Sequence, residues 1–373
     1  MVYRNIVRRF CLLALVCACA RPPPAVLAES FPVETTLDHA SVANAPDVWR
    51  DMIDHATRSL DLNEFYVSDA PRSELHAVLE AIERAAARGV RVRLLVDETF
   101  YAKYPEIPDA WSRRANMEVR RIDLRPGVLH AKYFVVDGRD AWVGSQNFDW
   151  RSLEHIVELG ARVRTPRVVS ALAAIFRADW DAAGGAPFRL DAIPSTDPVD
   201  GGAITLLASP KARVPEALWD LPRLLAWIGD AKSTLRVQSL TYKTKNRDGS
   251  AFPDLDDALR AAAKRGVRVE LLVSTWTEKD DAVAALAAVP NVEVRVLDIP
   301  KFSGGDIPFA RVTHAKLAVF DRSRAWVGTG NWEGDYFLHS RNVSLFFDHG
   351  AVPEQVLAYF DEEWRSPYAR KPH

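Results

Sequence analysis

The chain alternates helical and extended patterns, and it does so twice. Apolar residues recur at helical spacing over about 46–59 and 72–88, and each stretch leads into a run rich in Leu and Val, at 60–67 and 90–96. Runs such as 90–96 and 267–273 are dominated by apolar residues and read as strands buried on both faces. An Arg-Gly pair precedes each of these (Arg88-Gly89 and Arg265-Gly266) and marks the C-terminal stop of the helix before it. Short strands are predicted at 119–124 and 292–297, followed by strands at 131–136 and 315–320. A further strand and a helix ending at Trp180 or Trp364 complete each unit. This alternation predicts an α/β fold in which each half is a mixed β-sheet flanked by helices.

The halves are copies of one another. Residues 88–96 and 265–273 agree at eight of nine positions. Residues 129–147 (LHAKYFVVDGRDAWVGSQN) and 313–331 (THAKLAVFDRSRAWVGTGN) agree at ten of 19 without a gap. Ile53, Ala56 and Leu60 correspond to Ile228, Ala231 and Leu235, and Phe176 and Trp180 to Phe360 and Trp364. The offset grows from 175 to 177 to 184, so the copies differ by short loop insertions. Two long copies are duplicated lobes rather than a repeat array, and 373 residues exceed what one core supports. The lobes are placed at 29–187 and 205–373, with the Gly-, Pro- and Asp-rich stretch 188–204 as linker. Three irregular loops, 98–113, 239–254 and 298–312, are expected to rim a site.

The N-terminus has a different character. Arg4, Arg8 and Arg9 precede an apolar run over 10–20, and Val26-Leu27-Ala28 follows a Pro-rich stretch. This is the layout of a secretory signal peptide over 1–28, cut after Ala28, and it predicts a secreted or periplasmic protein. The run is too short to span a bilayer. Lipoprotein anchoring at Cys19 is the alternative, although Val16-Cys17-Ala18 before it matches that pattern poorly. Cys11, Cys17 and Cys19 all lie in this segment, so the mature chain would hold no thiol, which excludes disulfides, cysteine nucleophiles and thiolate metal sites. The segment also carries four arginines and no acid, so its loss moves the formal charge from −2 to −6. A global basic field for polyanions is excluded, and phosphate binding must be local.

The repeated motif conserves its polar residues between copies: His130, Lys132, Asp137 and Asn147 in one, His314, Lys316, Asp321 and Asn331 in the other. Packing alone would repeat the apolar positions and let the polar ones drift. On a strand, His130 and Lys132 point to the same face, as do His314 and Lys316. Gly-Ser-Gln and Gly-Thr-Gly turns can return Asn147 and Asn331 to the same place. If the lobes pair about a pseudo-two-fold axis, two imidazoles, two ammoniums and two amides converge. That set suits a phosphodiester: a neutral His attacks phosphorus, a protonated His serves the leaving oxygen, and lysines and amides stabilise the phosphoryl oxygens. Asp137 and Asp321 fall at an odd spacing, on the opposite strand face, where a structural or orienting role competes with a catalytic one. A metal site is disfavoured, since lysine is a poor ligand, no thiol is available and no His-x3–5-His spacing occurs.

The pattern H-x-K-x4-D-x6-G-[ST]-x-N, present twice without departure, resembles the signature of the phospholipase D superfamily. Residues 144–160, 253–276 and 328–337 further resemble a subgroup of lysosomal phospholipase-D-like 5′ exonucleases and poxvirus envelope proteins. Resemblance covers roughly 45–370, with 60–110 departing most. It implies two phospholipase-D-like lobes packed about a pseudo-two-fold axis with one shared active site, a covalent phosphohistidine, and no metal or other cofactor. Carried over, His130 is the nucleophile and His314 the general acid, with the reverse assignment open. Lys132, Lys316, Asn147 and Asn331 become phosphate ligands. Glu158 stands where the family often places a carboxylate that orients a histidine, and Asn342 or Ser344 occupies that place in the second lobe.

Two substrate classes follow. Single-stranded nucleic-acid ends fit the subgroup, with Tyr66, Tyr101, Tyr104, Trp111, Tyr242 or Trp276 available to stack bases, although each can equally anchor a loop. Phospholipid head groups, through hydrolysis or transphosphatidylation, are the rival. That reading brings transient membrane contact, yet no amphipathic helix announces it. A weakly catalytic protein that only binds phosphate-bearing ligands is the non-enzymatic alternative, and no stable protein partner is indicated.

Overall fold

A computed structural model describes residues 22–373. The first lobe contains strands β1 (Ala25–Ser30), β2 (Ser59–Glu64), β3 (Arg91–Asp97), β4 (Met117–Ile122), β5 (Tyr133–Val136), β6 (Asp140–Gly144) and β7 (Glu158–Val163). The second contains β8 (Gly202–Ser209), β9 (Thr234–Ser239), β10 (Arg268–Ser274), β11 (Val292–Leu297), β12 (Leu317–Phe320), β13 (Arg324–Gly328) and β14 (Asn342–His349). The first sheet runs β1-β7-β6-β5-β2-β3-β4 and the second β8-β14-β13-β12-β9-β10-β11, the same order strand for strand. Short edge strands at Ala43–Asn44, Thr196–Val199 and Ala369–Arg370 extend the sheets to eight and nine strands. In each lobe the second, third and fourth strands are mutually parallel and the other long strands antiparallel, with the edge strand Ala43–Asn44 parallel to β1, so both sheets are mixed as expected.

Helices α1 (Ala45–Asp54) and α2 (Glu74–Ala87) cover the outer face of the first sheet, burying Trp49, Ile53, Val78 and Ile82 against Leu60, Leu62 and Trp142. Between the lobes lie α3 (Pro166–Ala183) and, in the second lobe, a counterpart at Ala351–Arg365. Their Leu172, Phe176, Val356 and Phe360 join one apolar cluster that takes residues from both sheets. The lobes therefore share a core. The buried aromatic and aliphatic side chains in it are each worth about 2–5 kcal/mol against truncation to alanine.

Three sequence expectations shift. The proposed cut after Ala28 falls inside β1, whose Ala25–Ala28 pair with β7 and would be stripped from the sheet, so the first lobe begins upstream of that point. The Cys19 anchor and the apolar run of the leader lie outside the described residues. The stretch 188–204 is not all linker, because Thr196–Val199 and β8 form a hairpin within the second sheet. Finally, α1 ends at Asp54 rather than near 59, since the amides of Thr57, Arg58 and Ser59 are taken by the Asp137 carboxylate and cannot continue a helix.

Candidate active site

Each motif enters its strand two residues later than expected: β5 starts at Tyr133 and β12 at Leu317, so His130–Lys132 and His314–Lys316 are lead-ins to the strands. Their lysine carbonyls stay bonded to Gly144 and Gly328 of their own sheets, while the residues before them pair across the lobe boundary. Leu129 bridges to Arg341, with the His130 amide donating to the Arg341 carbonyl at 3.0 Å. Thr313 bridges to Val157, with the His314 amide donating to the Val157 carbonyl at 2.7 Å. The residue after each bridge partner is Asn342 or Glu158. One backbone device, used twice, hands each histidine an orienting side chain from the opposite lobe. Arg341 is itself pinned by a fully buried bidentate pair to Asp179 of α3, at 2.8 and 2.9 Å.

The two orienting contacts differ in charge. His314 Nδ1 lies 2.8 Å from Glu158 Oε2, and the Ser152 hydroxyl donates to Glu158 Oε1 at 2.7 Å. Burial acts to raise the Glu158 carboxyl, but His314 and Lys316 beside it hold it below its ordinary value, so it is an anion. His130 Nδ1 lies 3.0 Å from Asn342 Oδ1. The orientation of that amide follows from its other end, where Nδ2 donates to the Tyr336 carbonyl at 2.8 Å while Oδ1 accepts from Thr329 Oγ1 at 2.9 Å. An amide oxygen facing His130 requires a proton on Nδ1, which leaves the Nε2 lone pair free. Glu158 therefore lies against His314 as Asn342 lies against His130, whereas Ser344 donates to Asp220.

Electrostatics follow burial. Desolvation, aided by Lys132 and Lys316, pushes the His130 imidazole well below its ordinary value, so it is neutral. Desolvation lowers His314 to about 4, with Glu158 opposing the shift and Lys316 adding to it. The buried lysines are also lowered, Lys316 to about 7, and each donates to the carbonyl of its own histidine. Asn147 and Asn331 are buried with no hydrogen-bond partner for Oδ1. Both asparagines and both histidines line one cavity of about 460 Å³ at the lobe boundary.

Asp137 and Asp321 do not belong to this set. They sit at the far end of the motif strands with φ of +54° and +47°, where Asp137 accepts from the amides of Thr57, Arg58 and Ser59 and Asp321 from those of Lys232, Ser233 and Thr234. Their repetition records a backbone clamp rather than chemistry, because only a carboxylate satisfies three successive amides there. Gly144 and Gly328 are repeated for packing: a Cβ on either would lie 2.8 or 2.5 Å from Trp142 or Trp326.

Of the aromatic residues expected to stack, Tyr66, Tyr104 and Trp276 line the cavity. Trp111 and Tyr242 are buried instead, with Trp111 Nε1 donating to Glu83 and the Tyr242 hydroxyl to Asp256, and Tyr101 is held by Asp109. Sequence reasoning missed Phe65, Phe100, Phe309 and Tyr336, since single aromatic residues in loops and one-turn helices carry no periodic signal. Tyr66 stacks on Tyr104 at 4.7 Å and 19°, and its hydroxyl donates to Asp149 at 2.8 Å, so this wall is rigid. Across the cavity Trp276 and Phe309, 49% and 69% exposed, meet edge to face at 6.2 Å. The three rim segments reach the cavity, with 98–113 supplying Phe100 and Tyr104, 239–254 Leu240 and 298–312 Phe309, but 98–113 is not an irregular loop, since Glu98–Tyr101 and Glu106–Trp111 are short helices. Among the described residues no group of three or more His, Cys, Asp or Glu side chains is arranged to hold a metal ion.

Paired imidazoles and amides on one cavity of a duplicated α/β frame, with a buried lysine behind each imidazole, define a phosphodiesterase. The chain belongs to the phospholipase D-like family, matching the group described as "Cardiolipin synthase, PLD-like domain" over residues 49–180 and 224–364. It is 30% identical over 381 residues to Phospholipase D Z of Dictyostelium discoideum, covering 92% of this chain and 89% of that one. It is 31% identical over 409 residues to 5′-3′ exonuclease PLD3 of Bos taurus, covering 94% and 81%. Among solved structures, phosphatidylserine synthase of Haemophilus influenzae Rd KW20 superposes with a TM-score of 0.60 at 13% identity, over 87% of this chain and 85% of that one, a likeness of fold.

Proposed function

We propose that this enzyme cleaves the terminal phosphodiester of single-stranded nucleic acid through a covalent phosphohistidine on His130. The observation that carries the substrate class is the aromatic lining of the cavity, with Tyr66, Phe100 and Tyr104 on one wall and Trp276 and Phe309 on the other. Flat rings flanking the two histidines suit bases, which stack at about 1–3 kcal/mol each without sequence preference. The 31% identity to a named 5′-3′ exonuclease supports the same reading.

His130 Nε2 attacks phosphorus, the bond to the leaving oxygen breaks, and that oxygen takes the proton of His314. Water then attacks the phosphorus–nitrogen bond, gives its proton to His314, and releases a phosphomonoester while restoring His130. Lys132, Lys316, Asn147 and Asn331 stabilise the phosphoryl oxygens in both steps. His314 is mostly neutral in the empty site at neutral pH; a bound diester anion favours imidazolium and so brings the acid into its working form. The charge of Glu158 favours His314 as acid and the neutral Asn342 favours His130 as nucleophile. The basic and apolar layout of residues 4–20 supports export from the cytosol. Among the described residues no helix is long and apolar enough to cross a membrane.

The test compares nucleotide release from 5′-hydroxyl single-stranded oligonucleotides with choline release from phosphatidylcholine vesicles. Nucleotide release that His130→Asn abolishes is expected; choline release alone would overturn the substrate class.

A further inference from the structure

One buried carboxylate at the site has no part in this chemistry. Glu64, the last residue of β2, is completely buried, and among the described residues neither carboxylate oxygen has a hydrogen-bond partner. Burial pushes its carboxyl well above its ordinary value, and the Lys132 ammonium is the charge that opposes this shift. The sheet register places the two groups together. β2 and β5 are antiparallel, with Asn63 opposite Tyr133, so the next pair in register is Glu64 opposite Lys132, on one face of the sheet. In the second lobe Gln238 stands opposite Leu317, and the next pair is Ser239 opposite Lys316. The carboxylate is present in one copy only, which is why comparing the copies does not reveal it.

We propose that Glu64 is a positioning residue for Lys132, the resident counter-ion that keeps this ammonium charged and aimed at the phosphoryl oxygens. The inference rests on Lys132 binding phosphate and is independent of which phosphodiester is cleaved. The other charged groups facing the pair are Glu158, which acts on Lys132 in the same sense, and Lys316, which acts against it; the neutral His130 adjoins them. Lys316 has no carboxylate opposite it on its own sheet and draws on Glu158 and Glu333. The lobes therefore contribute unequal lysines: Lys132 carries a dedicated anion, and Lys316 depends on one shared with His314.

The sign of the effect is fixed. Where Glu64 is ionised, toward the alkaline side, it raises the pKa of Lys132, so removing it lets the ammonium lose its proton at lower pH. The test measures inorganic phosphate binding by calorimetry between pH 5 and 10 for wild type, Glu64→Gln and Glu64→Ser. The second variant installs the residue of the second lobe and serves if the first fails to fold. The alkaline midpoint for loss of binding is expected to fall by about one pH unit in the variants, with binding at pH 5 equal or tighter. The titration of phosphate itself is common to all and cancels in the comparison. Hydrolysis of a chromogenic aryl phosphodiester should show the same displacement in the alkaline limb of kcat/KM. Superimposable midpoints in wild type and variants would overturn the proposal and leave Glu64 a packing residue. Failure of wild type to cleave nucleic acid would overturn only the substrate class.

Discussion

Two histidines with the same motif behave differently because their neighbours do. Glu158 places a full negative charge on Nδ1 of His314, whereas Asn342 offers His130 only a carbonyl oxygen. Glu158→Gln should therefore lower kcat about 10- to 100-fold and move the alkaline limb of kcat to lower pH, because the imidazolium loses its stabilising anion. Asn342→Asp should do the converse to His130: its pKa rises, and the acidic limb of kcat/KM moves to higher pH. Steady-state pH profiles of the two variants check both outcomes, and unmoved limbs would break the assignment. The His, Lys and Asn residues were legible in sequence because polar identity persisted between copies where packing had no use for it. Asp137 and Asp321 passed the same filter for a different reason, since a backbone clamp is as intolerant of substitution as chemistry. Asn342 could be placed only by register, and Glu64 occurs in one copy alone.

At the scale of elements, the strands were legible and the loops were not. Buried runs such as 90–96 and 267–273 declare themselves because both faces of a strand must be apolar, and the observed β3 and β10 lie within one residue of those bounds. Crossing contacts leave no such trace. The bridges Leu129–Arg341 and Val157–Thr313 are made by the backbone, which reads alike for any side chain. The aromatic walls belong to segments where the copies diverge. Trp276→Ala and Phe309→Ala should each raise KM for a single-stranded oligonucleotide about 5- to 100-fold, matching the loss of one stacked base. Neither should affect a small aryl phosphodiester that cannot reach the rim. Parallel kinetics on the two substrates separates a stacking role from a general loss of structure.

The whole molecule is two lobes that share a core as well as a site. A buried cluster ties the start of the chain to the last long helix: His39 Nδ1 meets Glu29 at 2.6 Å, and the fully buried Glu363 lies beside it. Burial pushes the Glu363 carboxyl up to about 8, only partly opposed by His39. A carboxyl protonated when folded and ionised when unfolded favours the fold fully below about pH 4.5, and that contribution is lost as pH rises toward 8. The denaturant midpoint should accordingly fall between pH 5 and pH 8, and Glu363→Gln should flatten this dependence. An unchanged slope in the variant would remove Glu363 from the cause.

The central claim is that each lobe supplies half of one phosphodiester-cleaving centre, with His130 as nucleophile and His314 as acid. The most direct test is to expose His314→Asn to a 5′-hydroxyl oligonucleotide with an activated aryl leaving group, which departs without an acid. Quenching in alkali, where phosphohistidine survives, allows the adduct to be mapped by peptide mass spectrometry. A phosphoryl adduct on His130, absent from His130→Asn under the same conditions, is the expected result. An adduct on His314 in the His130→Asn protein, with His130 unlabelled in the converse variant, would contradict it.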